Sequence, residues 1–276
     1  MSRQKIWSIE VIGDISENHY NFYPEDRETK FSAQWRMSNR SRCSSMVRKN
    51  DVFRTYFGSL SISRKFGEKT KLSLIASAFH TNEQERYDIQ GQYWLTQTET
   101  SENLGVGTYM EHARNYLKAT VKSIKFALEH KTKKHDIQAG LTYRIENITE
   151  DSKEYEMRDS SGYSIPHTGE DLYMIYSLKA KNTLDANRLE TYIQDTWRFS
   201  SKGEHTFFTL NYGIRFSHWN FNKESIISPR ISLGIVPAFN HDVTMRFATG
   251  IYYQAPFYKE LRDTTTINGI TYATLN

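Results

Sequence analysis

Between His135 and Asn147 the chain reads H-D-I-Q-A-G-L-T-Y-R-I-E-N. Ile137, Ala139, Leu141, Tyr143 and Ile145 take the odd positions, and Asp136, Gln138, Gly140, Thr142, Arg144 and Glu146 take the even ones. Strict period-two alternation predicts an extended strand with two unlike faces. The same pattern recurs along the chain. Phe31, Ala33, Trp35 and Met37 alternate with Lys30, Ser32, Gln34 and Arg36. Tyr56, Gly58, Leu60, Ile62 and Phe66 face away from Ser59, Ser61, Ser63 and Lys65, and Leu72, Leu74, Ala76 and Ala78 continue the pattern after G-E-K-T at Gly67–Thr70. That pair reads as a hairpin with a tight turn. Further strands are expected at Gln4–Ile12, Tyr116–Glu129, Leu189–Phe199, Phe208–Ser217, Ile227–Ile235 and Val243–Ile251. In Tyr116–Glu129 the apolar parity changes from Leu117, Ala119 and Val121 to Ile124, Phe126 and Leu128, which predicts a β-bulge near Lys122 and Ser123. Phe257–Arg262, just after Pro256, reads as a short helix.

The joints alternate in length. Gly67–Thr70, His130–His135, Ser200–Glu204 and Pro237–Asp242 are short. His19–Glu28 reads as a loop, and the basic segment Ser38–Asn50, Thr81–Thr108 with a strand-like island at Tyr87–Leu95, and Ile148–Tyr173 are long, polar connections. Outer-membrane barrels have this asymmetry of short and long connections. The faces opposite the apolar ones carry Arg144, Arg215 and Arg246 in mid-strand. A water-filled lumen tolerates such charges, whereas a small barrel filled by its own side chains does not. Periodicity therefore favours lipid for the apolar face, with a soluble protein core as the alternative.

Composition sharpens this reading. Aromatics make up 14% of the 276 residues, with Tyr 18, Phe 15 and Trp 5, so the low mean hydropathy of −0.68 does not mean disorder. Lys+Arg 36 against Asp+Glu 32 gives a net charge of +4, too weak to imply nucleic acid. Cys43 is the only cysteine and has no disulfide partner within the chain. No run of residues is long and apolar enough for a transmembrane helix. Met1–Glu10 lacks the apolar centre of a signal peptide, which predicts either a soluble protein or a piece of a longer chain.

Chemical motifs are sparse. His130, His135, His205 and His241 sit at turns without helical spacing or cysteine partners, so no metal site and no cofactor is expected. Glu83/Glu85 and Glu170/Asp171 lack a calcium-loop pattern and read as solvated loop charge. Lys131, Lys133 and Lys134 read as a turn kept soluble by charge, with contact to anionic lipid headgroups as the alternative. There is no G-x-S-x-G elbow, and no enzyme is expected. The candidate ligand contacts are aromatics expected in loops, namely Tyr93, Trp94, Tyr163, Trp219, Tyr252 and Tyr253. Their flat faces suit stacking on sugars or chelates, and packing or interface anchoring is the plainer role for each.

Several stretches carry a resemblance: F-R-T-Y-F-G-S-L-S-I-S (Phe53–Ser63), F-H-T-N-E-Q-E-R-Y-D-I-Q-G-Q-Y-W-L (Phe79–Leu95), N-L-G-V-G-T-Y-M-E-H-A-R-N-Y-L (Asn103–Leu117), Y-I-Q-D-T-W-R-F (Tyr192–Phe199), S-P-R-I-S-L-G (Ser228–Gly234) and R-F-A-T-G-I-Y-Y-Q-A-P-F-Y-K-E-L-R-D (Arg246–Asp263). Together they resemble the barrel of TonB-dependent outer-membrane receptors of the Bacteroidetes type, in which a carboxypeptidase-regulatory-like domain often precedes the plug. The resemblance implies an all-β fold, an antiparallel transmembrane β-barrel of about 22 strands with a plug inside it. This chain shows about ten strands and no plug. It is therefore expected to be one region, residues 1–276, from the middle of an incomplete barrel. The implied function is energy-coupled uptake of a glycan, siderophore or cobalamin across the outer membrane of a Gram-negative cell. The implied partners are outer-membrane lipid, the TonB complex reached through a plug absent from this chain, and a surface lipoprotein. A soluble all-β carbohydrate-binding or structural module, or a small passive pore, stands as the alternative.

Overall fold

The structure is a computed structural model that describes residues 6–22, 27–33, 37–97, 103–159, 172–201, 203, 205–239 and 241–275. Among these residues twelve strands form one sheet. The first seven are β1 (Trp7–Phe22), β2 (Arg27–Ala33), β3 (Met37–Phe66), β4 (Thr70–Gln97), β5 (Asn103–Lys131), β6 (His135–Arg158) and β7 (Tyr173–Ser200). They are followed by β8 (Phe207–Trp219), β9 (Glu224–Val236), β10 (Met245–Gly250), β11 (Arg262–Ile267) and β12 (Ile270–Leu275). The order is β1-β3-β4-β5-β6-β7-β8-β9-β10, each neighbour antiparallel to the next, and β2 pairs with β3. Among the described residues β1 and β10 do not pair with each other, so the sheet is open.

Register makes the alternation a property of the whole sheet. Ile62 lies between Ile9 and Leu74, and Leu74 lies opposite Phe126, Phe126 opposite Leu141. Ile193 lies between Ala139 and Ile214, Tyr212 opposite Ile231, and Leu233 opposite Phe247. One face is therefore apolar from β1 to β10. Its large side chains stay open, from 36% exposed at Leu74 to 79% at Ile15. Among the described residues the buried apolar ones are few: Val52, Ala113, Ala180, Leu184, Ala186, Trp219 and Ala273. The usual soluble arrangement, apolar inside and polar outside, is inverted here.

The apolar face is a belt with two edges. On β4 it runs through Leu72, Leu74, Ala76 and Ala78. Thr70 Oγ1 bonds His130 Nδ1 at 2.8 Å below it, and His80 Nδ1 bonds Thr120 Oγ1 at 2.8 Å above it. Beyond His80 the same face turns polar, through Asn82, Gln84, Arg86 and Asp88. Aromatic rings gather at the short-turn edge. Trp197 and Phe199 lie 4.5 Å apart, Phe199 stacks on Phe208 at 5.0 Å, and Arg64 covers both Trp7 and Phe66. Asp195 interrupts the belt near this edge, where Tyr212 donates to it at 2.9 Å and His135 lies 2.7 Å away.

We take the polar face as the inner, concave one, since six neighbouring strands from β4 to β9 line one cavity of about 480 Å³ there; a shallower hollow of about 720 Å³ lies against the apolar face from β6 to β10. Serine ladders run across it, with Ser63 bonded to Ser73 and Ser77 to Ser123, each at 2.8 Å. Gln194 donates to Gln138 at 3.0 Å and Thr196 to Asn211 at 2.7 Å.

Four expectations change. The polar connections expected at Ser38–Asn50, in Thr81–Thr108 outside the Tyr87–Leu95 island, and at Ile148–Arg158 are mostly strand, as is His19–Phe22 of the expected first loop. The backbone ladder continues there without any apolar signal. No bulge lies at Lys122 and Ser123, where Lys122 pairs with Ile145 and Ser123 with Arg144 in unbroken register. The parity change marks the upper edge of the belt instead. Irregular register occurs at Leu95/Thr96 and Glu156/Met157. The strands number twelve among the described residues, above the expected ten, and the expected short helix is a 3-10 turn at Tyr258–Leu261.

The last strands form a hairpin around Asn268 (φ 50°) and Gly269 (φ 75°). Both central residues of that two-residue loop are left-handed, as a type I′ turn requires. β12 then pairs in parallel with β7 over Leu178–Ala180, on the edge that β8 leaves vacant beyond Trp219. Gly269→Val puts a β-branched residue in the left-handed region and is expected to cost about 1–2 kcal/mol of hairpin stability. Faster trypsin cleavage after Arg262, with unchanged resistance in β4 and β5, is the expected readout.

Candidate functional site on the inner face

Alternation carries chosen side chains to the concave face, and the long-range register sorts them by charge. The upper part is acidic. Glu83 and Glu85 of β4, Asn115 of β5, and Glu150, Ser152 and Glu154 of β6 line a cavity of about 330 Å³ closed by Tyr258 and Arg262. Glu83 and Glu85 were expected to be solvated loop charge, and the structure places them on a strand, facing this cavity. Glu170 and Asp171 lie outside the described residues.

Glu150 is the hub of this part, and only 7% of it is exposed. Arg262 Nη1 donates to its Oε1 at 2.8 Å and Ser152 Oγ at 3.3 Å. Tyr258 donates to Oε2 at 2.9 Å and Asn182 Nδ2 at 3.1 Å. Asn182 also donates to the Ala273 carbonyl at 3.1 Å, tying β12 to the same point. Leu184, Ala186 and Trp219 form a small core beside it, with Ile148, Phe221, Tyr258, Leu261 and Leu275 packed around. One carboxylate thus fixes the segment from Tyr258 to Leu275 against β6 and β7. Burial, and then the bond to Glu150, hold the Tyr258 phenol well above the ordinary tyrosine range. Burial acts first on Tyr87 too, and the nearby Glu154, Glu85 and Glu111 add to it, pushing that phenol up to about 12.

The lower part is basic. Lys125, Arg144, Arg188, Arg215 and Arg230 line a cavity of about 480 Å³ whose one carboxylate is Glu190. Arg144 lies 3.3 Å from Glu190 and 3.8 Å from Glu146, and Arg188 lies 3.5 Å from Glu146. Tyr192 stands between Lys125 and Arg215, whose charged groups are 5.7 and 5.9 Å from its ring centroid. Gly140 makes room for that ring, since a Cβ there would sit 2.3 Å from Tyr192 Cε1.

The six aromatic candidates scatter. Tyr252 is exposed, with Arg230 4.4 Å over its ring, and Tyr253 lines the basic cavity and donates to Glu224 at 3.0 Å. Trp219 ends β8 and is buried, with Arg188 4.6 Å over its ring and Phe221 beside it. Tyr93 and Trp94 belong to β4, opposite Cys43 and Arg42, but their side chains lie outside the described ones. Tyr163 lies outside the described residues. The structure therefore brings Tyr252 and Tyr253 towards the basic cluster and not the six together. Sequence reading passed over Glu150, Lys125, Arg188 and Arg230, because only the register reveals that they share two cavities.

On the outer face above the belt, Asp88 accepts from Arg114 Nη2 at 2.6 Å and lies 2.5 Å from His112. Burial opposes its charge, but the Arg114 and His112 bonds outweigh it and hold the carboxyl below its usual range. Tyr155 stacks on His112 at 4.6 Å. Among the described residues no group of three or more His, Cys, Asp or Glu is arranged to hold a metal. No family model and no curated protein matches the chain.

Glu150→Ala removes the shared acceptor of Arg262 and Tyr258. It is expected to cost about 1.5–3 kcal/mol of hairpin docking, read as faster trypsin cleavage after Arg262. Equal cleavage rates would sink the hub. For Tyr87 the raised phenol stabilises the fold fully below the ordinary tyrosine value of ~10, and that contribution disappears as pH rises through about 12. Ultraviolet titration should therefore show late phenolate steps from Tyr87 and Tyr258, and Tyr87→Phe should lose the one near 12 while the Tyr258 step remains.

Proposed function

We propose that the chain is part of the wall of an outer-membrane β-barrel of the TonB-dependent receptor type, working in energy-coupled uptake of a nutrient. The observation that carries this reading is the continuous apolar belt, exposed across nine strands and backed by a polar concave face. Monomeric soluble proteins rarely show water an apolar patch above a few hundred Å². Lipid on one side and a water-filled lumen on the other suit both faces at once.

Dimensions support the same reading. The alternation on β6 runs from His135 to Ile145, ~33 Å along a strand, or ~25 Å of height at the usual tilt of barrel strands. That equals the apolar band of an outer-membrane barrel. β3 to β7 are 24 to 30 residues long and continue well past the belt. In this reading they stand above the membrane on the side of the long connections, where the Glu150 hub and the acidic cavity lie. The rows of aromatics at the short-turn edge take the membrane interface. Unpaired edges are not tolerated in lipid, so β1 and β10 meet further strands of the complete wall. The TonB complex acts through a plug contributed from outside these 276 residues, and the family assignment rests on the stretches quoted above.

Flotation with lipid vesicles after refolding tests the membrane part, and a monomer that stays in the aqueous phase without detergent would rule it out. Leu141→Arg, in the middle of the belt, is expected to cost about 2–4 kcal/mol of stability in vesicles, while Thr142→Arg on the lumen face costs little. Denaturant titration of the two variants in the same vesicles gives the comparison.

A further inference from the structure

The basic half of the inner face is short of negative charge. Five cations line its cavity against the single carboxylate of Glu190. Arg144 and Arg188 are committed to Glu190 and Glu146. Among the described residues Lys125, Arg215 and Arg230 have no carboxylate within ion-pair distance. They lie against tyrosine rings instead, Lys125 and Arg215 beside Tyr192 and Arg230 over Tyr252. A guanidinium stacked on a ring keeps its N–H donors in plane, pointing past the ring edge. The Arg230 Nε is buried with no hydrogen-bond acceptor, an expensive state for a charged donor. Gly140 fixes where the Tyr192 ring stands, and so where Lys125 and Arg215 are held.

We propose that this cavity is a binding site for a small multivalent oxyanion, a ligand bearing two or more carboxylate or phosphate groups. Arg215 and Arg230 grip separate oxyanion groups through paired N–H donors, and Lys125 adds a third, less directional charge. Tyr192 and Tyr253 line the site, and Tyr252 lies beside it under Arg230. A volume of about 480 Å³ suits a ligand of this size. The acidic cavity higher on the same face repels such an anion, so charge alone separates the two halves. The inference rests on the reading of the concave face as a water-filled lumen.

The test uses the full chain refolded into detergent micelles at low salt. Calorimetric titrations with citrate and, separately, pyrophosphate identify which oxyanion chemistry the site takes. Saturable one-to-one binding of either, weakening as salt rises, is expected. R215Q/R230Q should raise Kd by roughly tenfold or more, the scale of losing one charge-assisted bond. K125Q alone should weaken binding less, and K69Q in the β3–β4 turn should leave it unchanged. Because K125Q removes a single lysine at the cavity wall, it keeps the idea testable if the double variant folds poorly. No saturable binding of either anion, or equal affinity in K125Q and K69Q, overturns the inference. Vesicle flotation of the same preparation reports separately on the membrane reading. A chain that floats and binds neither anion loses this inference alone.

Discussion

Register holds this structure together. Side chains on a strand alternate faces, so a slip of one residue in any pairing would carry that strand's apolar set to the polar side. Nine strands keep a single phase, from Ile9 through Ile62, Leu74, Phe126, Leu141 and Ile193 to Ile231. Packing between layers supplies little of this order, because the buried apolar residues are few and mostly small. The backbone ladder and the cross-strand pairs on both faces do the work instead. Hydroxyl pairs such as Ser63–Ser73 and Ser77–Ser123 add directional bonds on the concave side, where an apolar side chain would have nothing to pack against.

The inner face draws its character from the same phase. Alternation decides which residues point inward, and register decides which of those meet. Glu150 and Arg262 are 112 positions apart, yet they share a bond at the rim of the acidic cavity. Lys125 and Arg230 come from strands four places apart in the sheet and line one cavity. Acidic groups collect high on β4 to β6 and basic ones lower on β5 to β9. The chain's net charge of +4 conceals that separation.

Much of the all-β architecture was legible in the sequence, and the reasons are local. The opening strand His135–Asn147 alternates cleanly because both of its faces are committed, one apolar and one polar. The turns at Gly67–Thr70 and His130–His135 carry their own composition. The long upper halves of β3 to β7 were hidden because they are polar on both faces and show no alternation of hydropathy. The parity change at Lys122 looked like a bulge because the belt ends there and a different face becomes apolar. Ile-Asn-Gly-Ile at Ile267–Ile270 is a plain local hairpin signal, and the structure turns there. The basic and acidic cavities were not legible, because their members are separated by tens of residues and meet only through strand pairing.

Strand length varies around the sheet, with 28 residues in β7 and only 13 in β8 and in β9. The upper rim is therefore a step. On the tall side Glu83, Glu85 and Glu154 stand between the upper rim and the basic cluster. On the low side Arg215 lies just beneath the end of β8, with the Tyr252 and Tyr253 rings close by. β12 fills part of that step, because it pairs with β7 over Leu178–Ala180 on the edge beyond Trp219, so the last hairpin stands in for the height that β8 lacks.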